Sequence, residues 1–345
     1  MQLVTEALND AILRTFILSV LAFLLAMLLT PVYTFVAYRY KFWKRQRTES
    51  TTGEQLKVFT KLHADKFKRN IPTMAGMVFV LAIVVVTICF NLDRRETWLP
   101  LAALAGGAVV GLIDDIINIR GKGKGVAGLR SQLKFLMITG IGVVLGWYFF
   151  NRLDVTAVTV PFIGEWNLGW LIVPLFAFVV VATGNAVNIS DGLDGLAGGL
   201  AAIAFGSFGV IALMQGNALM AGFCFTVVGA LLSYLWFNIY PARFFMGDVG
   251  SFALGTSLGV VAMLTDSLFI LPIIGLVFVL EAGSSLIQIL SKKLFKRKVF
   301  ISAPIHHHLE AIGWPETKVT MRFWVIAAVT SFVGVLIALA GGIVS

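Results

Sequence analysis

The sequence from Asn185 to Gly195 reads Asn-Ala-Val-Asn-Ile-Ser-Asp-Gly-Leu-Asp-Gly, and it separates two apolar runs at residues 168–184 and 196–214. Neither run contains a Lys, Arg, Asp or Glu, which is typical of membrane-spanning helices. An ionisable side chain at membrane depth costs roughly 2.5–3.5 kcal/mol on insertion scales, so it usually serves a function. The alternative is a short polar turn, because Asn, Asp and Gly are ordinary turn residues. The stretch by itself leaves both interpretations open.

The composition is that of a polytopic membrane protein. Hydrophobic residues make up 58% of the chain, charged residues only 13%, and the mean hydropathy is +0.90. Cys89 and Cys224 lie inside apolar runs, which indicates packing residues rather than a disulfide or a zinc site. A net charge of +9 could suit a nucleic-acid partner. Its distribution indicates membrane lipids or phosphate instead, so we expect no nucleic-acid partner.

Ten apolar runs predict an all-α protein with about ten transmembrane helices. The connections between them are too short to fold as soluble domains, so residues 1–345 are predicted to form a single integral membrane domain. The runs lie at residues 11–38, 73–91, 98–117, 133–150, 168–184, 196–214, 217–237, 251–265, 268–290 and 323–343.

The basic residues predict the orientation. Of the 27 Lys and Arg residues, 23 lie in four alternate connections, at residues 39–69, 120–134, 238–250 and 292–322. The positive-inside rule places these connections in the cytoplasm, which puts both termini outside and the 185–195 stretch on the cytoplasmic side. The outer connection at 152–167 is rich in β-branched residues before a Pro and a Gly, which predicts a small β-hairpin on the outer face.

Two further acidic motifs fall on the same predicted side. Asp114 and Asp115 end the third apolar run, and Asp248 lies in a Gly-Asp-Val-Gly-Ser sequence before the eighth. Adjacent carboxylates repel each other unless a cation neutralises them. Oxygen ligands without cysteine favour Mg²⁺ or Mn²⁺ over zinc. The alternatives are a solvated acidic pair and, for Asp248, an ordinary helix cap.

A histidine triplet, His306, His307 and His308, lies in the ninth connection. Adjacent histidines cannot all face one ion, and the chain has no further Cys or His at the spacing of a structural zinc site. The triplet either binds an anionic phosphate or sugar group, or is a histidine cluster satisfied by its surroundings. Together with the acidic motifs and the basic connections, it indicates a phosphate-bearing substrate held at a membrane.

The order of these motifs resembles that of the polyprenyl-phosphate N-acetylhexosamine-1-phosphate transferases. Within that superfamily, four sequences are similar to the bacterial phospho-N-acetylmuramoyl-pentapeptide transferases. They are Pro72-Thr-Met-Ala-Gly, Pro304-Ile-His-His-His-Leu-Glu, Gly313-Trp-Pro-Glu and Arg322-Phe-Trp. The resemblance extends over nearly the whole chain.

The resemblance implies a specific reaction and setting. Members transfer phospho-MurNAc-pentapeptide from UDP-MurNAc-pentapeptide to undecaprenyl phosphate, which yields lipid I and UMP for peptidoglycan synthesis. They are multi-pass proteins of the bacterial inner membrane, with ten helices, a broken ninth helix and a Mg²⁺-dependent cytoplasmic cleft. The resemblance also implies a homodimer and inhibition by uridine-containing nucleoside antibiotics.

The resemblance also assigns roles to residues of this chain. Asp114, Asp115 and Asp248 correspond to the catalytic positions, with Asp248 as the principal Mg²⁺ ligand and the other two as further candidate ligands. A broken ninth helix would explain Glu281, which lies inside an apolar run. The substrate-binding positions are Lys68, Lys134, Asn188, Asp191, Asp194, Asn238, Gln288, His306, His307 and His308.

One departure from the family pattern affects the predicted site. The family often has Lys where this chain has Asn118. One hypothesis is that Lys122 or Lys124 supplies the missing positive charge, with Lys134 or Lys68 as the other sources. The alternative is that Lys122 and Lys124 contact only anionic lipid headgroups.

Two other functions remain open at this point. A relative that uses UDP-GlcNAc would share the acidic motifs, whereas a transporter would carry its charges near the bilayer midplane. The chemistry also leaves two routes open, direct attack by the lipid phosphate and a covalent aspartyl-phosphate intermediate.

Overall fold

Helices form at each of the ten positions where apolar runs predict membrane spans. The computed structural model describes residues 2–43, 70–120 and 128–344, so Lys68, Lys122 and Lys124 lie outside the described residues. The helices are α1 (Gln2–Arg39), α2 (Gly76–Phe90), α3 (Trp98–Arg120), α4 (Ser131–Arg152), α5 (Ile172–Ser190), α6 (Leu196–Met214), α7 (Ala218–Asn238), α8 (Gly247–Leu264), α9 (Leu271–Ile274), α10 (Leu276–Phe295), α11 (Ile305–Ala311) and α12 (Glu316–Ala340).

The predicted all-α membrane architecture is confirmed. Within the described ranges, eight helices are long and apolar enough to cross a membrane by their length and composition. Helix α2 is also apolar but has only 15 residues. The predicted ninth span is interrupted at Gly275, between α9 and α10. This interruption agrees with the broken ninth helix implied by the family resemblance.

The polar connection predicted at 185–195 is shorter in the structure, because α5 continues through Ser190. The Nδ2 of Asn185 donates to the Val181 carbonyl at 2.8 Å, and the Ser190 hydroxyl donates to the Ala186 carbonyl at 2.8 Å. These side chains bond to their own helix and do not end it. Helix α8 likewise begins at Gly247, so the motif around Asp248 forms its first turn.

The predicted β-hairpin is present. Strand β1 (Ala157–Val160) pairs antiparallel with β2 (Gly164–Asn167). The backbone N–H of Thr159 donates to Asp266 Oδ1 at 2.9 Å, and that of Phe162 donates to the Gly341 carbonyl at 3.1 Å. The hairpin therefore lies on the same face as the connection after α8 and the end of α12.

The connections at the other helix ends meet on the opposite face. The backbone N–H of Phe245 donates to the Pro72 carbonyl at 2.8 Å, and that of Asp194 donates to Glu316 Oε1 at 2.6 Å. We call this the motif face, because the motifs around Asp191 and Asp248 lie on it. Alternate connections are thus sorted onto two faces, as the ten-span pattern requires.

Helix α8 is the centre of the bundle. Every residue from Gly247 to Met263 is buried. Helices α2, α3, α5 and α6 pack around it. The hydroxyls of Thr256 and Ser257 on α8 donate to the Ala103 and Pro100 carbonyls of α3 at 2.8 and 3.0 Å, so these polar side chains are satisfied without water.

Glycines allow the main chains of three helices to touch at the motif-face end of α8. A Cβ atom on Gly111 of α3 would overlap the Asp248 carbonyl, and one on Gly76 of α2 would overlap the main chain of Gly250. Small residues permit such close approach in membrane bundles. Because Asp114 and Asp115 follow Gly111 by about one helical turn, this contact brings them to the first turn of α8.

We predict that Gly111→Ala separates α3 from α8 and destabilises the protein by about 1–3 kcal/mol, the usual cost of overpacking. Thermal unfolding in detergent measures this effect. Gly140→Ala on α4 is the matched control, because a Cβ there meets nothing within 4 Å. A Gly111→Ala variant as stable as the Gly140→Ala variant would contradict the prediction.

Candidate functional site

Lys134 lies between two of the predicted catalytic carboxylates. Its Nζ is 3.2 Å from Asp114 Oδ2 and 3.2 Å from Asp248 Oδ2. The Asp114 side chain is fully buried, whereas 15% of the Lys134 side chain is exposed. Lys134 extends from the first turn of α4 and also lies 5.7 Å from the ring centroid of Phe252. One ammonium therefore links α3, α4 and α8.

Backbone N–H groups hold the two adjacent aspartates. Asp114 Oδ1 accepts a hydrogen bond from the Leu129 N–H at 2.5 Å, and Asp115 Oδ2 accepts one from the Val249 N–H at 3.0 Å. Asp115 is thereby fixed to the first turn of α8, where the helix dipole favours a negative charge. Since the two carboxylates take different partners, Asp114 is the one that shares a cation with Asp248.

Asn188 connects the sequence stretch 185–195 to the same place. It lies near the end of α5, and its Nδ2 donates to the Ser251 hydroxyl at 2.8 Å. Ser251 follows Asp248 by about one turn of α8. The structure therefore brings five of the predicted site residues together: Asp114, Asp115, Asp248, Lys134 and Asn188.

Asp194 and Asn238 fasten two connections of the motif face to each other. Asp194 Oδ2 accepts a hydrogen bond from the Ala242 N–H at 3.0 Å, and Asn238 Oδ1 accepts one from the Gly195 N–H at 2.9 Å. The Nδ2 of Asn238 donates to the Phe244 carbonyl at 2.9 Å. Both side chains thus set the shape of the site's loops. Asp191, in the same loop, is partly exposed.

Gln288 has a similar part in the ninth connection. Its Oε1 accepts hydrogen bonds from the N–H groups of Val299 and Phe300 at 3.0 Å each, and its Nε2 donates to the Phe300 carbonyl at 2.9 Å. The side-chain amide of Gln288 therefore folds the chain that leads from α10 to α11.

Each histidine of the triplet has a different partner. His306 Nδ1 is 2.7 Å from Glu281 Oε2, His307 Nδ1 is 2.8 Å from Glu310 Oε2, and His308 Nδ1 accepts a hydrogen bond from the Ile301 N–H at 3.3 Å. The three Nδ1 atoms therefore face three different groups, while the rings of His306 and His307 pack against each other with their centroids 4.1 Å apart.

Four residues outside the predicted site contact it. Ser251 belongs to the Gly-Asp-Val-Gly-Ser motif, Glu310 follows His307 by one helical turn, and Glu316 belongs to the Gly-Trp-Pro-Glu sequence. Their motif positions could have indicated them. Glu281 had a different signal, a single carboxylate inside a long apolar run.

Compensation for the Lys that Asn118 replaces stays a prediction. Asn118 is buried on α3, one turn beyond Asp114. Lys134, one of the alternative sources considered for the missing charge, contacts Asp114. Lys122 and Lys124, the preferred sources, and Lys68 lie outside the described residues.

The carboxylates of the site are also candidate metal ligands. The described residues contain no group of three His, Cys, Asp or Glu side chains placed to hold a metal. Mg²⁺ does not need such a cage, because it keeps several waters and is usually bound by one or two carboxylates plus substrate phosphates. Asp114 and Asp248 already flank one cation, the Lys134 ammonium, so their oxygens fit this kind of donor set.

Comparison with known proteins agrees with the motifs. A family model described as Glycosyl transferase family 4 matches residues 97–266, which include Asp114, Asp191 and Asp248. The chain is 38% identical to a protein of Chloroflexus aggregans, covering 95% of this chain and 90% of that protein. It is 37% identical to one of Geobacillus thermodenitrificans (92% and 95% covered) and 35% identical to one of Clostridium novyi (91% and 94%). All three are named phospho-N-acetylmuramoyl-pentapeptide-transferase.

The position of Lys134 gives a testable prediction. Lys134→Met leaves Asp114 and Asp248 without their shared cation, and breaking a buried ion pair in this way typically costs 3–5 kcal/mol. We expect a lower thermal midpoint in detergent. Adding Asp114→Asn should restore much of the stability, because it removes one of the two negative charges that repel each other. It should not restore activity. Lys293→Met, at an exposed position on α10, serves as the control. Wild-type stability of the Lys134→Met variant would contradict the prediction.

Proposed function

The chain belongs to the family of phospho-N-acetylmuramoyl-pentapeptide transferases, and on that basis we propose that it transfers phospho-MurNAc-pentapeptide from UDP-MurNAc-pentapeptide to undecaprenyl phosphate. The products are UMP and lipid I, a lipid-linked precursor of peptidoglycan. The observation that carries the proposal is the convergence of Asp114, Asp115 and Asp248 with Asn188 around the Lys134 ammonium. A cluster of carboxylates and a cation at one end of apolar helices suits phosphoryl transfer to a lipid.

The two other functions fit less well. The relatives named above cover nearly the whole chain and are named for the MurNAc-pentapeptide reaction, which disfavours a UDP-GlcNAc substrate. A transporter would place its charges near the bilayer midplane. Here Asp248 lies in the first turn of α8 and Asp191 directly follows α5, so these acids lie at helix ends.

We further propose that the enzyme uses Mg²⁺. Asp114 and Asp248 lie within 3.2 Å of one ammonium at the end of α8, and carboxylate oxygens are the protein ligands that Mg²⁺ prefers. Asp248 and Asp114 would hold the ion, with Asp115 as a further candidate. When bound, Mg²⁺ supplies charge neutralisation on the diphosphate and on the departing UMP.

The residues present favour direct attack by the lipid phosphate. A phosphate monoester has a second pKa near 6, so the acceptor is largely ionised at neutral pH and a general base has little to remove. Both oxygens of Asp114 are engaged, one by the Leu129 N–H and one by Lys134. These bonds make its carboxylate a weaker nucleophile, and they suit a residue that orients the acceptor phosphate. Lys134 then attracts the incoming anion and holds Asp114 in place.

The nucleotide sugar has polar residues within reach on the motif face. We propose that Asp191, His307 and His308 contact the uridine diphosphate and sugar, while Asp194, Asn238, Gln288 and the buried His306 position the loops around it. The family resemblance extends the proposal to a homodimer and to inhibition by uridine-containing nucleoside antibiotics.

The proposed setting is the cytoplasmic membrane of a bacterium, with the motif face toward the cytoplasm and both termini outside. The contacts of the hairpin with Asp266 and Gly341 support the sorting of connections between two faces. The excess of Lys and Arg in the motif-face connections supports the direction.

The metal proposal is tested with Asp248→Asn. An amide keeps the shape of the side chain but loses the charge that faces the cation, so turnover should fall by about 100-fold or more, as when an electrostatic stabiliser of a transition state is removed. UMP release is measured with UDP-MurNAc-pentapeptide and undecaprenyl phosphate across a Mg²⁺ titration. Asp266→Asn, on the hairpin face, is the control. Near-normal activity of Asp248→Asn at low Mg²⁺ would disprove the metal assignment.

The orientation is tested by labelling single cysteines in a background without Cys89 and Cys224. We expect a cysteine at Thr51, in the basic connection 39–69, to react with a membrane-impermeant reagent only after intact cells are opened. A cysteine at Ile163, in the hairpin turn, should react in intact cells. The opposite pattern would reverse the proposed orientation.

A further inference from the structure

Glu281 is a buried carboxylate to which the proposed reaction assigns no role. It is the only Asp or Glu among residues 267–309. Its side chain is fully buried on α10, and its Oε2 is 2.7 Å from Nδ1 of His306, which is only 1% exposed. Burying such a pair costs desolvation energy that apolar residues would avoid, so it is weak evidence for a stabilising role.

The other edge of the His306 ring meets the loop that carries Asp191 and Asp194. If Gly192 carried a Cβ, the three nearest atoms to it would all belong to the His306 ring. Gly192 is not among the glycines with positive φ, so its backbone does not exclude a side chain. The obstacle at Gly192 is therefore the imidazole of His306.

The loop is held differently at its two ends. Near Asp194, backbone N–H groups are bonded by Glu316 and Asn238, at 2.6 and 2.9 Å. Gly192 itself has no side chain, and the His306 ring packs against its main chain. The His306 ring can fix the position of Gly192 only if the ring itself does not move. The hydrogen bond to Glu281 restrains the His306 ring.

We propose that Glu281 is a positioning residue, which holds His306 against Gly192 and thereby fixes the Asp191–Asp194 loop in the shape that binds the nucleotide-sugar diphosphate. A carboxylate facing Nδ1 selects the tautomer with hydrogen on that nitrogen and orients the ring, as outer partners do for metal-bound histidines. The proposal rests on the function proposed above.

The test uses Glu281→Gln, which keeps the size of the side chain, and Gly192→Ala, which pushes on the ring from the opposite side. Each should raise the KM for UDP-MurNAc-pentapeptide about tenfold, with a much smaller change in the KM for undecaprenyl phosphate. Because both substitutions act by displacing one ring, the double variant should lose less than the product of the two single effects. Neither single substitution should lower the midpoint of thermal unfolding enough to account for its rise in KM.

Two further variants make the result decisive. Ser284→Ala is the control on α10, because the Ser284 hydroxyl donates to the backbone carbonyl of Glu281 in its own helix, and its loss should leave both KM values unchanged. If Glu281→Gln does not fold, the test uses Gly192→Ala, His306→Ala and the double variant that combines them. His306→Ala removes the obstacle, so Gly192→Ala should then add no further defect.

Two results would overturn the inference. One is a Glu281→Gln variant with a lower folded yield but wild-type kinetic constants in the folded fraction, which would show a purely structural pair. The other is a double variant whose defect equals the product of the single defects. A wild-type protein that releases no UMP would instead overturn the proposed function, so the two failures are distinguishable.

Discussion

The main-chain contact between α3 and α8 is the constraint on which the site depends. Gly111 lets α3 touch the carbonyl of Asp248, and Gly76 lets α2 touch the main chain of Gly250 at the same level. With the helices this close, Asp115 can reach the Val249 N–H and Asp114 can share Lys134 with Asp248. A steric property of glycine thus determines an electrostatic arrangement. A larger residue at Gly111 would push α3 away from α8, and the carboxylates would be separated as a result.

Buried carboxylates on α3, α8 and α10 have polar partners. Lys134 forms an ion pair with Asp114 and Asp248, and His306 forms a hydrogen bond with Glu281. Buried polar pairs of this kind often stabilise a fold less than well-packed apolar side chains would, so their presence is better explained by function than by stability. Charged residues within membrane helices are usually retained for the same reason. The two pairs lie on the motif face, where the substrates are proposed to bind.

The sequence predicts the fold better than it predicts the roles of the polar side chains. Apolar runs locate the helices and the 152–167 pattern locates the hairpin, because burial in a membrane and β-branching act locally. Helix ends are less predictable, since Asn185 and Ser190 bond back to their own helix and continue α5. The family motifs and matching positions identify Asn238 and Gln288, but the sequence alone does not show whether a side-chain amide contacts a ligand or the protein backbone. Here both bind backbone groups of loops. Glu281 and His306 are 25 positions apart, so their contact depends on tertiary structure.

The two parts of the site are joined by α5. Asn188 bonds to Ser251 beside the carboxylates, and Asp191 follows about one helical turn later, in the loop that His306 and Glu316 restrain. A helix is stiff over one turn, so a shift of the loop would also shift Asn188 relative to α8. Phosphoryl transfer depends mainly on bringing two anions into line, with little covalent chemistry left for the protein. The restraints on the loop would therefore affect the proposed reaction, because the same helix sets the distance between the proposed nucleotide-binding loop and the carboxylates proposed to face the phosphates.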